Sequence, residues 1–249
     1  MMRLNTLFVI WGVLFFATVA MAEESMKLIG GGAVISSSPY RGIGAKITPL
    51  PLIRYDYKDF YIKGVEAGYR FFKTEDVTLS ILGSPRFMGY HSSDSDALQG
   101  MENRNNSFDA GVSGDYKLPK CGGIAMGASI LTDVAGVHDG QVMTLSLSKK
   151  FSIKHFKLTP SLGARLQTSS LVDYYYGVRA SEVAADRPEY KPGTAVNYFG
   201  DMMFNFGIHP KWIVITKVGV EFLDHEITRS PIVNKDYLVT GIIGVTRRF

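Results

Sequence analysis

The chain has 249 residues, with 27 lysines and arginines against 23 aspartates and glutamates, and a formal net charge of +4. This near balance, without any block of like charges, argues against a nucleic-acid partner, because a basic patch is the minimum footprint on a polyanion. The single cysteine excludes an internal disulfide as a source of stability.

The N-terminal segment has the pattern of a secretory signal peptide. Arg3 precedes an apolar stretch at 7–19, and a small-residue cleavage site ends at Ala22. The apolar stretch is shorter than the roughly 20 residues of a membrane-spanning helix, and no later apolar run reaches that length. We therefore expect residues 1–22 to be a cleaved signal peptide and residues 23–249 to be the exported domain.

Segments of roughly ten residues that alternate between apolar and polar side chains follow one another along the exported domain. In chain order they are residues 26–35, 46–56, 60–72, 77–90, 107–118, 123–132, 142–151, 156–167, 196–208, 212–223 and 237–249. The pattern is clear in 107–118, where Phe108 and Val112 share one parity and every charge falls on the other. Such alternation is typical of a barrel that is apolar toward lipid and polar toward its lumen.

Two further features favour a membrane barrel over a soluble sandwich, whose strands also alternate. Aromatic residues gather at segment ends, as expected for rings at the lipid–water boundary. Short and long connections also contrast: the short turns are 73–76, 119–122, 153–155 and 210–211, and the long polar loops are 91–106, 169–195 and 224–236. Short periplasmic turns and long outer loops are usual in outer-membrane barrels.

These patterns predict an all-β fold, a transmembrane antiparallel up-and-down β-barrel in the cell outer membrane. A bacterial barrel with both ends in the periplasm has an even number of strands, whereas eleven segments are visible. A further strand hidden in a long loop gives twelve, which we expect; a segment that is not a strand gives ten. The terminal aromatic Phe249 resembles the signal read by the barrel assembly machinery, although Arg247 stands where an apolar residue is usual.

Charged residues on the inner parity raise the question of an open or a filled lumen. They are Asp109, Asp115, Lys117, Lys157, Arg165, Asp201, Lys217 and Glu221. The two signs occur in similar number, so the charges either pair within a narrow interior or line a pore of weak ion selectivity. We expect the filled, ion-paired lumen.

The triple tyrosine Tyr174, Tyr175 and Tyr176, flanked by Asp173 and Arg179, lies in a predicted outer loop. Exposed tyrosines offer a large contact area with a polar tip, so the three rings are candidates for a recognition surface. The alternative is an interfacial anchor at the top of a strand that extends above the membrane.

The sequence shows no pattern of a catalytic or metal site. His138-Asp139 and Asp224-His225 lie in predicted outer loops, but adjacent side chains of an extended chain point to opposite sides. Neither pair therefore forms a hydrogen-bonded dyad without a special turn. Neither a Gly-x-Ser-x-Gly elbow nor a His-Glu-x-x-His pattern occurs. We expect a protein without enzymatic activity, cofactor or metal.

Several short patterns, in this order and spacing, resemble the MipA/OmpV family of outer-membrane proteins. They are Pro49-Leu50-Pro51-Leu52-Ile53-Arg54-Tyr55, Asp173-Tyr174-Tyr175-Tyr176-Gly177-Val178, Ser230-Pro231-Ile232-Val233 and the ending at 241–249. The resemblance implies a barrel in contact with outer-membrane lipid. One family member is described as a scaffold that joins a murein lytic transglycosylase to a penicillin-binding protein, and others are discussed as surface antigens or adhesins. The resemblance thus implies a scaffold, with a small-solute pore or a surface-exposed adhesin as alternatives.

Overall fold

The computed structural model describes residues 27–119 and 121–249, so the expected signal peptide at 1–22 lies outside the described residues. The strands are β1 (Lys27–Ser36), β2 (Lys46–Tyr57), β3 (Phe60–Lys63), β4 (Glu66–Lys73), β5 (Val77–Arg86), β6 (Ser107–Lys117), β7 (Ile124–Asp133), β8 (Gln141–Lys149), β9 (Phe151–Ile153), β10 (Phe156–Gln167), β11 (Ala195–His209), β12 (Trp212–Phe222) and β13 (Tyr237–Arg248). The helices are α1 (Ser169–Tyr176) and α2 (His225–Thr228), with 3-10 turns at Ser92–Asp94, Asp96–Leu98 and Ala180–Glu182. Within the described ranges, no helix is both long and apolar enough to span a membrane.

The strands form one antiparallel sheet that closes on itself. Consecutive strands pair with each other, except that β8 and β9 both pair with β10, and β13 pairs with β1 to complete the ring. Both β8 and β9 pair with β10 and are separated by Lys150 alone, so together they occupy one position in the wall. The wall therefore has 12 positions. This confirms the prediction of an up-and-down barrel of about twelve strands.

The additional strand comes from residues 60–72, which the sequence pattern presents as a single segment. They fold as a hairpin in which β3 and β4 pair, with Gly64 at the tip in a left-handed conformation (φ 62°). Glycine adopts this conformation without the steric cost of a β-carbon. The twelfth strand was expected inside a long loop. It lies instead inside the predicted segment 60–72, which contains two strands.

Large apolar side chains form rows on the outer surface of the wall. Val112 of β6 lies opposite Ile130 of β7, and Ile130 lies opposite Met143 of β8; all three side chains are exposed. A continuous apolar band of this extent is unfavourable in water but is solvated by lipid tails. The outer surface is therefore the membrane-facing surface, and the opposite parity faces the lumen.

The two ends of the barrel differ in their connections. At the end where β1 begins and β13 ends, two-residue turns join β2 to β3 and β11 to β12. At the other end, 87–106 joins β5 to β6 and 168–194 joins β10 to β11. Outer-membrane barrels keep their short turns in the periplasm. We call the short-turn end, with its turns and the adjoining strand residues, the periplasmic rim.

Candidate functional site

Four connections at the outer end fold over the lumen and share a hydrophobic core. They are residues 37–45, 87–106, 168–194 and 223–236, which together we call the cap. Its fully buried side chains come from different connections and include Leu98, Leu171, Tyr175, Ile227 and Ile232. Burial of each large apolar side chain contributes about 1.5–3 kcal/mol. The outer loops therefore stabilise one another as a lid over the barrel.

The triple tyrosine lies largely inside the cap. It belongs to helix α1, in which Tyr175 and Tyr176 are buried and Tyr174 is half-buried. The Tyr40 hydroxyl donates to the carbonyl oxygen of Tyr175 at 3.3 Å, and the Tyr40 and Tyr176 ring centroids lie 5.8 Å apart. Neither the predicted recognition surface nor the predicted strand anchor fits this arrangement, because the helix turns two of the three rings into the cap core.

A buried ion pair joins two cap connections. Arg104 donates from Nη2 to both carboxylate oxygens of Glu182 at 2.9 Å, and the two residues are only 3% and 2% exposed. The same carboxylate accepts the backbone N–H groups of Glu102 at 2.8 Å and Arg179 at 2.9 Å. Every charge in this network has a partner, which buried charges require.

Acid is expected to loosen the cap through Glu182. Burial alone raises the pKa of this carboxyl, but the backbone N–H groups of Arg179 and Glu102 and the charge of Arg104 hold it below its ordinary value. A carboxyl with a depressed folded pKa stabilises the fold above its unfolded pKa of about 4.3, and this stabilisation is lost as pH falls through the folded value.

Proteoliposomes that contain the protein should therefore become permeable to a small neutral sugar as the pH falls below about 4. The variant Glu182→Gln lacks the titrating group and should show the same permeability at neutral and acid pH. Wild-type liposomes that stay sealed at the lowest pH at which the barrel remains folded would contradict this mechanism.

A second polar network holds the turn 134–140 against the wall. Arg86 donates from Nε and Nη2 to Oδ2 of Asp109 at 2.8 and 2.5 Å, and His138 Nε2 lies 3.2 Å from Asp109 Oδ1. Asp133 Oδ2 accepts the backbone N–H of His138 at 2.6 Å. Asp109, Asp133 and His138 are close enough to share a metal ion, but both carboxylates and the ring already hold hydrogen bonds within the chain. The cluster therefore fixes a turn.

Charged side chains on the inner parity pair with each other between nearby strands of the wall. Arg165 of β10 pairs with Glu221 of β12, and Asn197 of β11 donates from Nδ2 to the same carboxylate at 2.8 Å. Lys217 Nζ lies 3.2 Å from Asp201 Oδ2. With Asp109, five of the eight charges singled out in the sequence belong to ion pairs.

The remaining three charges lie lower in the barrel. Asp115 lines a cavity of about 230 Å³ in the lower lumen. Lys117 donates from Nζ to the carbonyl oxygen of Glu75 at 2.9 Å, and Lys157 is exposed near the periplasmic rim. Charge in the upper lumen is thus largely compensated, whereas unpaired basic groups lie toward the rim.

A second cavity, of about 410 Å³, lies directly beneath the cap. Tyr176 of the cap contributes to its lining, together with Arg165, Glu221 and Gln167 of the wall. The sequence pattern gave no indication of Gln167, since a polar residue on the inner parity is ordinary. Its surroundings follow only from closure of the barrel.

The two histidine pairs have different surroundings. Asp224 caps α2 by accepting the N–H of Glu226 at 2.9 Å, and the start of this helix supplies the special turn that brings His225 Nδ1 to 2.9 Å from Asp224 Oδ1. His225 Nε2 lies 3.1 Å from Glu226 Oε1, so its ring stands between two carboxylates. His138 contacts Asp109 rather than Asp139. Acyl transfer requires a hydroxyl nucleophile in contact with the imidazole, and among residues 27–119 and 121–249 neither ring has such a contact.

Exposed basic side chains encircle the periplasmic rim. They are Lys58, Lys73, Lys117, Lys150, Lys154, Lys157, Lys211, Arg247 and Arg248. In the described part of the rim, Asp59 and Glu75 are exposed acidic residues, and Asp56 and Asp76 are half-buried. Among the described residues the rim therefore carries an excess of positive charge, although the chain as a whole is nearly balanced.

The C-terminal residues complete this rim. The Arg247 guanidinium lies 5.9 Å from the Trp212 ring centroid and 5.1 Å from that of Phe249, within cation–π range. The exposed Phe249 donates its N–H to the carbonyl oxygen of Lys27 at 3.1 Å. The departure at Arg247 from the usual apolar residue is thus accommodated by aromatic contacts. The role of Phe249 as an assembly signal stays a prediction.

Comparison with known proteins places the chain in a family. Residues 29–249 match the family model described as MltA-interacting protein MipA. The chain is 30% identical over 234 residues to the putative outer membrane protein YiaT of Escherichia coli strain K12, covering 93% of this chain and 94% of that protein. It is 23% identical over 244 residues to the MltA-interacting protein of the same strain, covering 96% of each. It is 26% identical over 200 residues to the outer membrane protein OmpV of Vibrio cholerae, covering 77% and 74%.

These relatives confirm the resemblance seen in the sequence patterns. YiaT and OmpV are named as outer membrane proteins, and the closed barrel of this chain has the apolar outer surface that such a location requires. The protein therefore resides in the cell outer membrane. The chain belongs to the MipA family of outer-membrane β-barrel proteins.

Proposed function

We propose that the protein is a non-enzymatic scaffold that holds a murein lytic transglycosylase against the outer membrane and brings a penicillin-binding protein to it. The relative named MltA-interacting protein supports an association of this kind. The observation that carries the proposal is the positive periplasmic rim, because this end of the barrel faces the compartment in which murein enzymes work. The rim offers a docking surface without any protruding loop.

Several basic groups of the rim have to act together to attract a partner protein. An exposed ion pair contributes only about 0.2–1 kcal/mol, so one lysine does not hold a partner. A ring of like charges, however, steers an oppositely charged surface toward it and accelerates association. The client is therefore expected to present a carboxylate-rich face to the membrane.

Lys58 and Lys154 lie in two rim turns in a backbone conformation that glycine adopts with less strain. Lys58 and Lys154 have φ angles of 50° and 49°, in the left-handed region. A β-carbon in this conformation costs about 1–2 kcal/mol. Strained residues that persist at exposed turns are candidates for function. The presence of an ammonium group at each strained tip supports a role for their charge.

Replacing both Lys58 and Lys154 with glycine is expected to stabilise the barrel and weaken client binding. The strain that is relieved exceeds the entropic cost of ordering glycine, so the free energy of unfolding should rise by about 0.5–1 kcal/mol per site. Urea unfolding in detergent micelles measures this rise. If the variant becomes more stable and still captures as much transglycosylase as wild type, the charges of Lys58 and Lys154 do not contribute to client binding.

Charge reversal tests the scaffold directly. The variant Lys58→Glu with Lys154→Glu is expected to bind purified transglycosylase on the order of tenfold more weakly, with the difference shrinking at high salt. The matched control reverses two exposed cap charges, Lys191→Glu with Arg229→Glu, and should bind like wild type. Equal binding by rim and cap variants, or failure of wild-type protein to retain the enzyme from envelope extract, would overturn the proposal.

The pore and adhesin alternatives lead to other observations. A small-solute pore gives stable, discrete current steps in planar bilayers at neutral pH, whereas a capped scaffold gives none. An adhesin presents side chains of its outer loops to a partner, yet large side chains of these loops such as Leu98, Tyr175 and Tyr176 are buried in the cap core. The cap therefore favours the scaffold over both alternatives.

A further inference from the structure

Strand β2 has a ladder partner on only one side along most of its length. Residues 46–55 pair with β1, whereas β3 pairs only with 54–57. The β3–β4 hairpin ends at Gly64, whose N–H donates to the carbonyl oxygen of Ile53 at 2.7 Å. Toward the outer end, residues 46–52 therefore have no strand of the described ranges beside them on that edge.

The edge across this opening belongs to β5. Strand β4 pairs with β5 no farther than Gly83, so residues 84–86 pair with β6 alone. Lower in the wall β3 and β4 separate β2 from β5, which places β2 and β5 three strand spacings apart, or about 14 Å. We call this opening the β2–β5 window; it lies in the outer half of the wall.

The cap closes the window from above. Lys46 Nζ at the start of β2 lies 3.4 Å from Asp94 Oδ2, and Ser95 Oγ donates to the carbonyl oxygen of Arg41 at 2.8 Å. The first contact joins β2, and the second joins the connection 37–45, to the connection 87–106. The opening thus has a roof in the cap, a floor at the hairpin tip and a strand on each side.

Two prolines keep the free edge of β2 from pairing. Pro49 and Pro51 lie two residues apart, so their nitrogens face the same edge, and proline has no N–H to donate. Within sheets proline is confined to edges and bulges, where it blocks unwanted strand pairing. The two prolines therefore prevent another strand from pairing with this edge of β2 and closing the window.

The cavity beneath the cap reaches the β5 side of this window. Its lining includes Pro85 and Phe87, on the outward parity, together with the inward-facing Arg86. Phe87 is 65% exposed, and Ile47 on the opposite edge is 71% exposed. The mouth of the cavity is therefore apolar and lies at the level of the outer lipid leaflet.

One polar group inside the cavity lacks a partner. Gln167 is 3% exposed, and in the described part of the chain its Oε1 has no hydrogen-bond partner. Buried acceptors almost always have a donor, so this one marks a place for a ligand donor. The charges nearby are already paired, Arg165 with Glu221 and Arg86 with Asp109.

We propose that the cavity binds a single-chain amphiphile with a neutral, hydroxyl-bearing headgroup, which enters sideways from the outer leaflet through the β2–β5 window. The headgroup hydroxyl donates to Gln167 Oε1, and the acyl tail leaves between Ile47 and Phe87 into lipid. A charged headgroup is disfavoured, because it has to compete with ion pairs that are already formed. This inference is independent of the scaffold role.

Photolabelling in nanodiscs of defined phospholipid tests the proposal. The probe is a 1-monoacylglycerol with a diazirine in its acyl tail, and labelled peptides are located by mass spectrometry. We expect labels to concentrate on residues 46–53 and 84–88 and to be displaced by unlabelled monoacylglycerol. Labels spread evenly around the apolar wall would show ordinary lipid contact and overturn the proposal.

Two variants separate the headgroup contact from the mouth. Gln167→Leu removes the acceptor and is expected to reduce labelling about tenfold at low probe concentration. Phe87→Glu places a charge in the mouth and should reduce labelling even if Gln167→Leu fails to fold. The matched controls are Gln99→Leu on the cap surface and Phe222→Glu at the outer end of β12; both should label like wild type. Unchanged labelling of Phe87→Glu would overturn the proposal.

Discussion

Replacing Glu182 with leucine is expected to open the cap, because it leaves the Arg104 guanidinium buried without a counter-ion. Loss of one partner of a buried ion pair costs about 3–5 kcal/mol. Glu182 also accepts two backbone N–H groups from different connections, and these donors lose their acceptor as well. A change of this size multiplies the open population more than a hundredfold.

Two measurements report the open cap. Protease added to whole cells should cleave 168–194 in the variant and leave it intact in wild type, and planar bilayers should show current only for the variant. Glu189→Leu, an exposed position in the same connection, is the control and should behave like wild type. The double variant Arg104→Met with Glu182→Leu should close again, since apolar groups often replace a buried ion pair at little cost. Equal opening of the single and double variants would refute the ion pair as the cause.

The barrel wall could be predicted because lipid and lumen impose opposite chemistry on alternate side chains. The segment predicted at 107–118 is β6 at Ser107–Lys117, with Asp109 and Asp115 on the inner parity. The segment at 60–72 was harder, since its alternation continues through the hairpin tip. Gly64 was the only local sign of the turn, and a glycine inside a strand pattern also fits a bulge.

The cap could not be predicted, because its contacts join residues far apart in the chain. Arg104 and Glu182 are separated by 78 positions, and no local pattern relates them. Helix α1 has eight residues, too few to be stable alone, so it forms only against the rest of the cap. Without that context the triple tyrosine has the composition of an exposed patch.

The window left a sign in the sequence that the strand pattern concealed. Pro49 and Pro51 share one parity of β2, and prolines so placed indicate an edge strand. A closed barrel has no edges, so the prolines conflict with uniform closure. The short β3–β4 hairpin resolves the conflict, because over 46–52 it leaves β2 paired with β1 on one edge and with no described strand on the other.

Replacing Tyr176 with alanine is expected to join the cavity beneath the cap to the outside. The ring is buried, lines the cavity and packs near Tyr40, and its removal costs about 3–5 kcal/mol. Planar bilayers should show current steps for this variant, whereas Tyr176→Phe retains the ring and should stay closed. Sealed bilayers for the alanine variant would mean that other cap side chains close the lumen. Undiminished capture of transglycosylase by a conducting variant would show that the rim functions independently of the cap.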